Sequence, residues 1–65
     1  MKRLVFEITY NINDVIKQEI VEVITDRDSE WTKSQYLRHR TGTKMELISE
    51  TETEQTEHSW KKISS

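Results

Sequence analysis

Val15-Ile16-Lys17-Gln18-Glu19-Ile20-Val21-Glu22-Val23-Ile24-Thr25 reads as a helix or as a strand, and the fold turns on which. As a helix, Ile16, Ile20, Val23 and Ile24 form one stripe, and Asn13 stands where a cap would be. As a strand, Val21 and Val23 share one face while Ile20 and Ile24 share the other. Seven of the eleven residues are β-branched. Such side chains lose rotamer freedom against a helical turn and pack well on a pleated surface. The strand reading is therefore taken, over about 17–25.

The stretch before it supports that reading. Leu4, Phe6, Ile8, Tyr10 and Ile12 alternate with Arg3, Glu7, Thr9 and Asn11, and only Val5 breaks the pattern. Period two over ten residues is a half-buried strand. Asn11-Ile12-Asn13-Asp14 then supplies turn chemistry, because Asn and Asp side chains imitate backbone turns. The two strands should form a hairpin.

Downstream, Asp28 or Ser29 can cap a helix over 29–40, with Glu30 near its positive end. Trp31, Ser34 and Leu37 would share its inner face, with Tyr36 pointing elsewhere. Arg38, His39 and Arg40 would occupy its last turn, and Gly42 would take a positive φ beyond it. A strand from Trp31 to Arg40 is the competing reading. Residues 43–57 look extended, with Met45 and Leu47 facing one way. Residues 58–65 read as a frayed tail unless Trp60 docks.

The expected fold is α+β, in the order β-β-α-β. One antiparallel sheet carries a short helix on one face, within a single domain over 1–57. An all-β meander of four strands is the alternative. The expected core is Leu4, Phe6, Ile8, Tyr10, Val21, Val23, Trp31, Leu37, Met45 and Leu47. Val5, Ile20, Ile24 and Ile48 are left on the other face and would need a second subunit. A chain of 65 residues without cysteine has no disulfides to stabilise it, which also points to a homo-oligomer.

Composition narrows function by exclusion. No stretch approaches the apolar length of a membrane span, and the charged start does not resemble a secretion signal, so a cytoplasmic setting is expected. No cysteine means no thiolate metal site; His39 and His58 lack a ligating partner at fixed spacing. No metal or cofactor is expected. No serine has a recognisable base beside it, so no enzyme is expected either.

Two charged sets remain. Glu46, Glu50, Glu52, Glu54 and Glu57 form an acidic run with no base among residues 45–57. Strand spacing would put the first four in one row, with neighbours two residues distant roughly 6.5–7 Å apart. With Trp60 as an aromatic anchor, they make a surface for a basic or nucleic-acid-binding partner protein, whose cleft a row of carboxylates can enter in place of a phosphate backbone. Arg27, Lys33, Arg38, Arg40 and Lys44, with Trp31 and Tyr36 among them, make an alternative nucleic-acid surface. The formal charge of −2 weighs against that alternative. In style the chain resembles small accessory proteins of phages and other mobile elements: short, free of alanine, charged, without catalytic motifs. That resemblance implies a non-enzymatic module that inhibits or modulates a larger host protein in the host cytoplasm by occupying its surface. A structural component of a larger assembly is the third reading.

Overall fold

The ambiguous segment is a strand. A computed structural model describes residues 1–64 and shows a small α+β domain of one open antiparallel sheet and one helix. In chain order the elements are β1 (Lys2–Ile12), β2 (Val15–Thr25), α1 (Ser29–Leu37), β3 (Lys44–Glu52) and β4 (Ser59–Ser64). The sheet order is β3-β1-β2-β4, so the first hairpin forms its centre and the last two strands form its edges. The fold is the expected β-β-α-β with a fifth element added.

β1 and β2 pair without a break from Lys2↔Thr25 to Ile12↔Val15. Asn13 and Asp14 form the turn, with φ of 52° and 65°. Positive φ at both central residues is the mark of the hairpin turn whose twist matches its strands, and Asn and Asp tolerate it. Eleven paired residues at about 3.3 Å each explain most of the 40 Å long axis. β3 begins opposite Thr9 and β4 pairs as far as Ile20, so among the described residues the hairpin tip has no further strand beside it.

Leu4, Phe6, Ile8, Val21, Val23 and Met45 make the core, with Tyr10, Tyr36 and Leu37 packed against it. Leu4, Phe6 and Ile8 have no exposed surface at all. The register explains the cluster, since Leu4 lies opposite Val23, Phe6 opposite Val21 and Ile8 opposite Met45. Directly paired residues share a face.

Two expected core members are outside it. Trp31 is 44% exposed and Leu47 41% exposed. The helix presents Thr32 inward, buried, with Tyr36 one turn on. Thr32 Oγ1 donates to Asp28 O at 2.9 Å. Trp31 then sits about 100° around the helix from Thr32, at the rim. Tyr36, read as pointing away, is the aromatic that faces the core. Leu47 lies opposite Phe6, but on an edge strand with a neighbour on one side only.

The helix starts as expected and stops early. Asp28 is the N-cap; its Oδ1 accepts from the Trp31 amide at 2.7 Å. The helix ends at Leu37, so Arg38, His39 and Arg40 lie beyond its last turn. Arg40 still serves that end, its Nη1 donating to Tyr36 O at 2.6 Å. Gly42 has a φ of 74°, as expected, although it sits in the turn into β3 and not at the helix cap. Open space surrounds its missing side chain, so only backbone strain opposes a substitution. Gly42→Val should cost about 1–2 kcal/mol, read from urea unfolding. A loss below 0.3 kcal/mol would show that this turn relaxes freely.

The second face of the sheet is less open than expected. Val5 is 7% and Ile24 1% exposed, and Ile20 is half-buried. Arg3 lies opposite Ile24, and Glu22 opposite Val5. Arg3 Nε meets Glu22 Oε2 at 2.7 Å, diagonally across that seam. Ile48 alone of the expected set is exposed, at 55%. Its place is a bulge, since Leu47 pairs with Phe6 and Ser49 with Val5, leaving Ile48 without a partner.

The tail has a defined place. Ser59–Ser64 pairs with the outer edge of β2. The Met1 and Thr53 backbones bond to each other at 2.9 and 3.3 Å, and residues 53–58 then cross the sheet end from β3 to β4. No described helix is long and apolar enough to cross a membrane.

Candidate functional site: an aromatic cleft and an acidic edge

β4 brings Trp60 opposite Val23, on the helix side of the sheet. There it stacks on Tyr36, with ring centroids 5.0 Å apart and planes 8° from parallel. Arg40 approaches the same tyrosine, its guanidinium carbon 4.1 Å from the ring centre. Trp60 and Arg40 therefore both lie against the one ring. Arg27 lies over Trp31 in the same manner at 4.8 Å.

Between α1 and the β2–β4 pair is an open cleft of about 430 Å³. Trp31, Thr32 and Tyr36 wall it from the helix, Trp60 from β4, and Val23 contributes from β2. His58 and Ser59 close one end. His58 Nε2 is 3.6 Å from Asp26 Oδ1, an ion pair whenever the imidazole is protonated. The cleft is mainly apolar and has two half-exposed indoles, the combination expected where one side chain anchors another. A second, polar hollow lies beyond Tyr36, among Tyr10, Glu19, His39 and Arg40.

The expected acidic row does not form. Glu46 lies opposite Glu7, on the face away from the helix. Glu50 lies opposite Leu4 and Glu52 opposite Lys2, on the helix side. The bulge at Ile48 is the cause, because one extra residue reverses which way every later side chain points. Glu54 and Glu57 belong to the crossing segment 53–58. Among the described residues none of these five glutamates is in an ion pair. Glu46 and Glu7 stand as like charges directly opposite, an arrangement that destabilises unless a cation intervenes.

Trp60 is accordingly not beside the acidic strand. Three strand spacings, roughly 14 Å, separate β3 from β4. Only the segment with Glu54 and Glu57 reaches from one to the other, and it ends at His58 on the cleft.

The basic set is also divided. Arg27 lies before the N-terminus of α1, while Arg38, Arg40 and Lys44 lie past its C-terminus. Lys33 is half-buried between them. Nine helical residues, roughly 13 Å, keep the two groups apart. Sequence reading missed the cleft because it depends on the Tyr36–Trp60 stack. The available signal was Trp60 itself, a large apolar ring in a polar tail.

Among the described residues no group of three or more His, Asp or Glu side chains is placed to hold a metal ion. Comparison with protein-family models, curated proteins and solved structures found no match to this chain.

Proposed function

We propose that this chain is a non-enzymatic protein-binding module that modulates a larger partner by occupying its surface. The observation that supports this most is the cleft of Trp31, Tyr36 and Trp60. An apolar side chain of the partner seats there, and the exposed indoles gain the buried area that hot spots use. Glu54 and Glu57 lead into the cleft, and Glu46, Glu50 and Glu52 lie on the far edge. These carboxylates favour a partner segment with basic residues beside its anchor and speed its approach. A cytoplasmic setting, the host's if the chain serves a phage, belongs to the same proposal.

The test is peptide selection from a random library on the immobilised protein. The expected consensus is one aromatic or large aliphatic residue flanked by Lys or Arg. Trp31→Ser should weaken the selected peptides at least about tenfold, the usual scale for a hot-spot truncation of 1.4 kcal/mol or more. Glu54 and Glu57 to Gln should lower the association rate and its salt dependence. Peptides without a shared anchor, or with equal affinity for the Trp31 variant, would refute the reading.

A nucleic-acid function is the second reading, favoured by the arginines over Trp31 and Tyr36. Base stacking on Tyr36 is disfavoured, since Trp60 and Arg40 already cover that ring. The split basic set also lacks a continuous track for a backbone. A gel shift that weakens steeply with salt and disappears in Arg38 and Arg40 to Gln would favour it over the protein reading.

A further inference from the structure

The two edges of the sheet carry opposite charge. β3 has Lys44 against Glu46, Glu50 and Glu52, one positive and three negative groups. β4 has Lys61 and Lys62 and no acid. Each edge also exposes the isoleucine of its bulge, Ile48 at 55% and Ile63 at 46%. Charge and bulges at an edge ordinarily keep copies of a protein apart. That guard works when like edges meet. It works against two-fold pairing here, because β3 against β3 sets acid on acid and β4 against β4 sets lysine on lysine. It does not guard against β4 of one copy meeting β3 of another.

Strand directions permit that meeting. β1 is antiparallel to both of its neighbours, and β4 is antiparallel to β2. β3 and β4 therefore run in opposite senses. Copies placed side by side in one orientation bring β4 antiparallel to the next β3, with all helices on one side.

We propose that this protein assembles head to tail, β4 of one copy adding to β3 of the next, in the register that sets Lys61 opposite Glu46. The register follows from four exposed or unpaired side chains. Lys61 lies opposite Glu22, and Glu46 opposite Glu7, so both belong to the face away from the helix. The lysine then supplies the cation that the Glu7–Glu46 pair lacks. One residue along, Trp60 comes opposite Leu47 on the helix side, covering two apolar side chains that are 45% and 41% exposed. Residues 44–47 and 59–62 are the straight parts of their strands, ahead of either bulge. Such a contact does not close on itself, so mass grows with concentration unless the ring happens to close.

The chain has no cysteine, which gives a direct test. A chain carrying both Glu46→Cys and Lys61→Cys should form, on mild oxidation, a ladder of bands at multiples of the 7.8 kDa monomer. Directly opposed Cα atoms, about 4.5–5.5 Å apart, suit a disulfide. Each single-cysteine chain should stay uncross-linked, while a mixture of the two should give the heterodimer. Without cysteines, light scattering at low salt should show mass rising with concentration and falling as salt is added. Lys61→Glu should weaken association about tenfold, and the swap Glu46→Lys with Lys61→Glu should restore it. A constant monomer mass at millimolar concentration and low salt would overturn the proposal. So would a Glu46→Cys chain that cross-links to itself as readily as to Lys61→Cys, since that is two-fold pairing. A swapped chain that stays folded but does not associate would do the same. Trp60 belongs to both contacts and Trp31 to the cleft alone, so Trp31→Ser should weaken peptide binding without changing the assembly, and Lys61→Glu should do the reverse.

Discussion

Phe6→Ala should remove about 3–5 kcal/mol of stability, the usual cost of emptying an aromatic core position. Phe6 lies on β1 in the middle of the sheet, opposite Val21 on one side and Leu47 on the other, with no exposed surface. Tyr36 and Leu37 of the helix pack against the cluster to which it belongs. A 65-residue domain has a total stability of roughly 3–10 kcal/mol, so the loss removes a large share of it. Ile8→Ala should cost about 2–5 kcal/mol by the same mechanism. Thr53→Ala, beyond the end of β3, should cost less than about 0.5 kcal/mol. Urea midpoints compared at constant slope give all three values. Equal losses at the three positions would mean that the core lies elsewhere.

That prediction rests on residues legible in the sequence. The period-two run from Leu4 to Tyr10 identifies one face of β1, and pairing through an Asn-Asp turn carries the face to Val21 and Val23. Local pattern and tertiary packing agree there, so alternation and β-branching sufficed to choose strand over helix in residues 15–25. The cap at Asp28 and the positive φ at Gly42 were legible for the same reason, since each answers a local backbone demand.

What was not legible depends on contacts distant in sequence. The helix has one buried residue, Thr32, and no strong apolar stripe, so its orientation is not written in its own side chains. Tyr36 turns inward, where it packs on the core and meets Trp60, twenty-four positions later in the chain. Trp31 is expected inside because it shares a helix face with Ser34 and Leu37, but two apolar residues on one face do not fix which face turns inward. The acidic row failed on a single residue. Ile48 continues the apolar–polar texture of the strand, and nothing local marks it as a bulge that reverses Glu50 and Glu52. The charges of the candidate surface were visible in the sequence; their division between two faces was not.

Trp60→Ala should cost roughly 2 kcal/mol, about half the loss at a fully buried aromatic, because Trp60 is 45% exposed. Its effect should also be local, which separates it from Phe6. β4 is six residues long, every one of them exposed, and it pairs with β2 only. An exposed edge strand of that length contributes little burial of its own, and the Tyr36–Trp60 stack ties it to the helix. Stacked aromatic pairs add about 0.5–1.5 kcal/mol beyond area burial. Without that tie, β4 should open at a free energy well below that of global unfolding, as weakly packed segments do. Amide exchange is the measurement. In the variant, amides of residues 59–64 should lose protection while those of Leu4, Phe6 and Val21 keep most of theirs. Trp60→Phe, which retains a ring able to stack, should recover more than half of the loss. A uniform drop in protection across all strands would mean that β4 is part of the central folding unit. No change in residues 59–64 would mean that backbone pairing with β2 holds the strand and the stack does not.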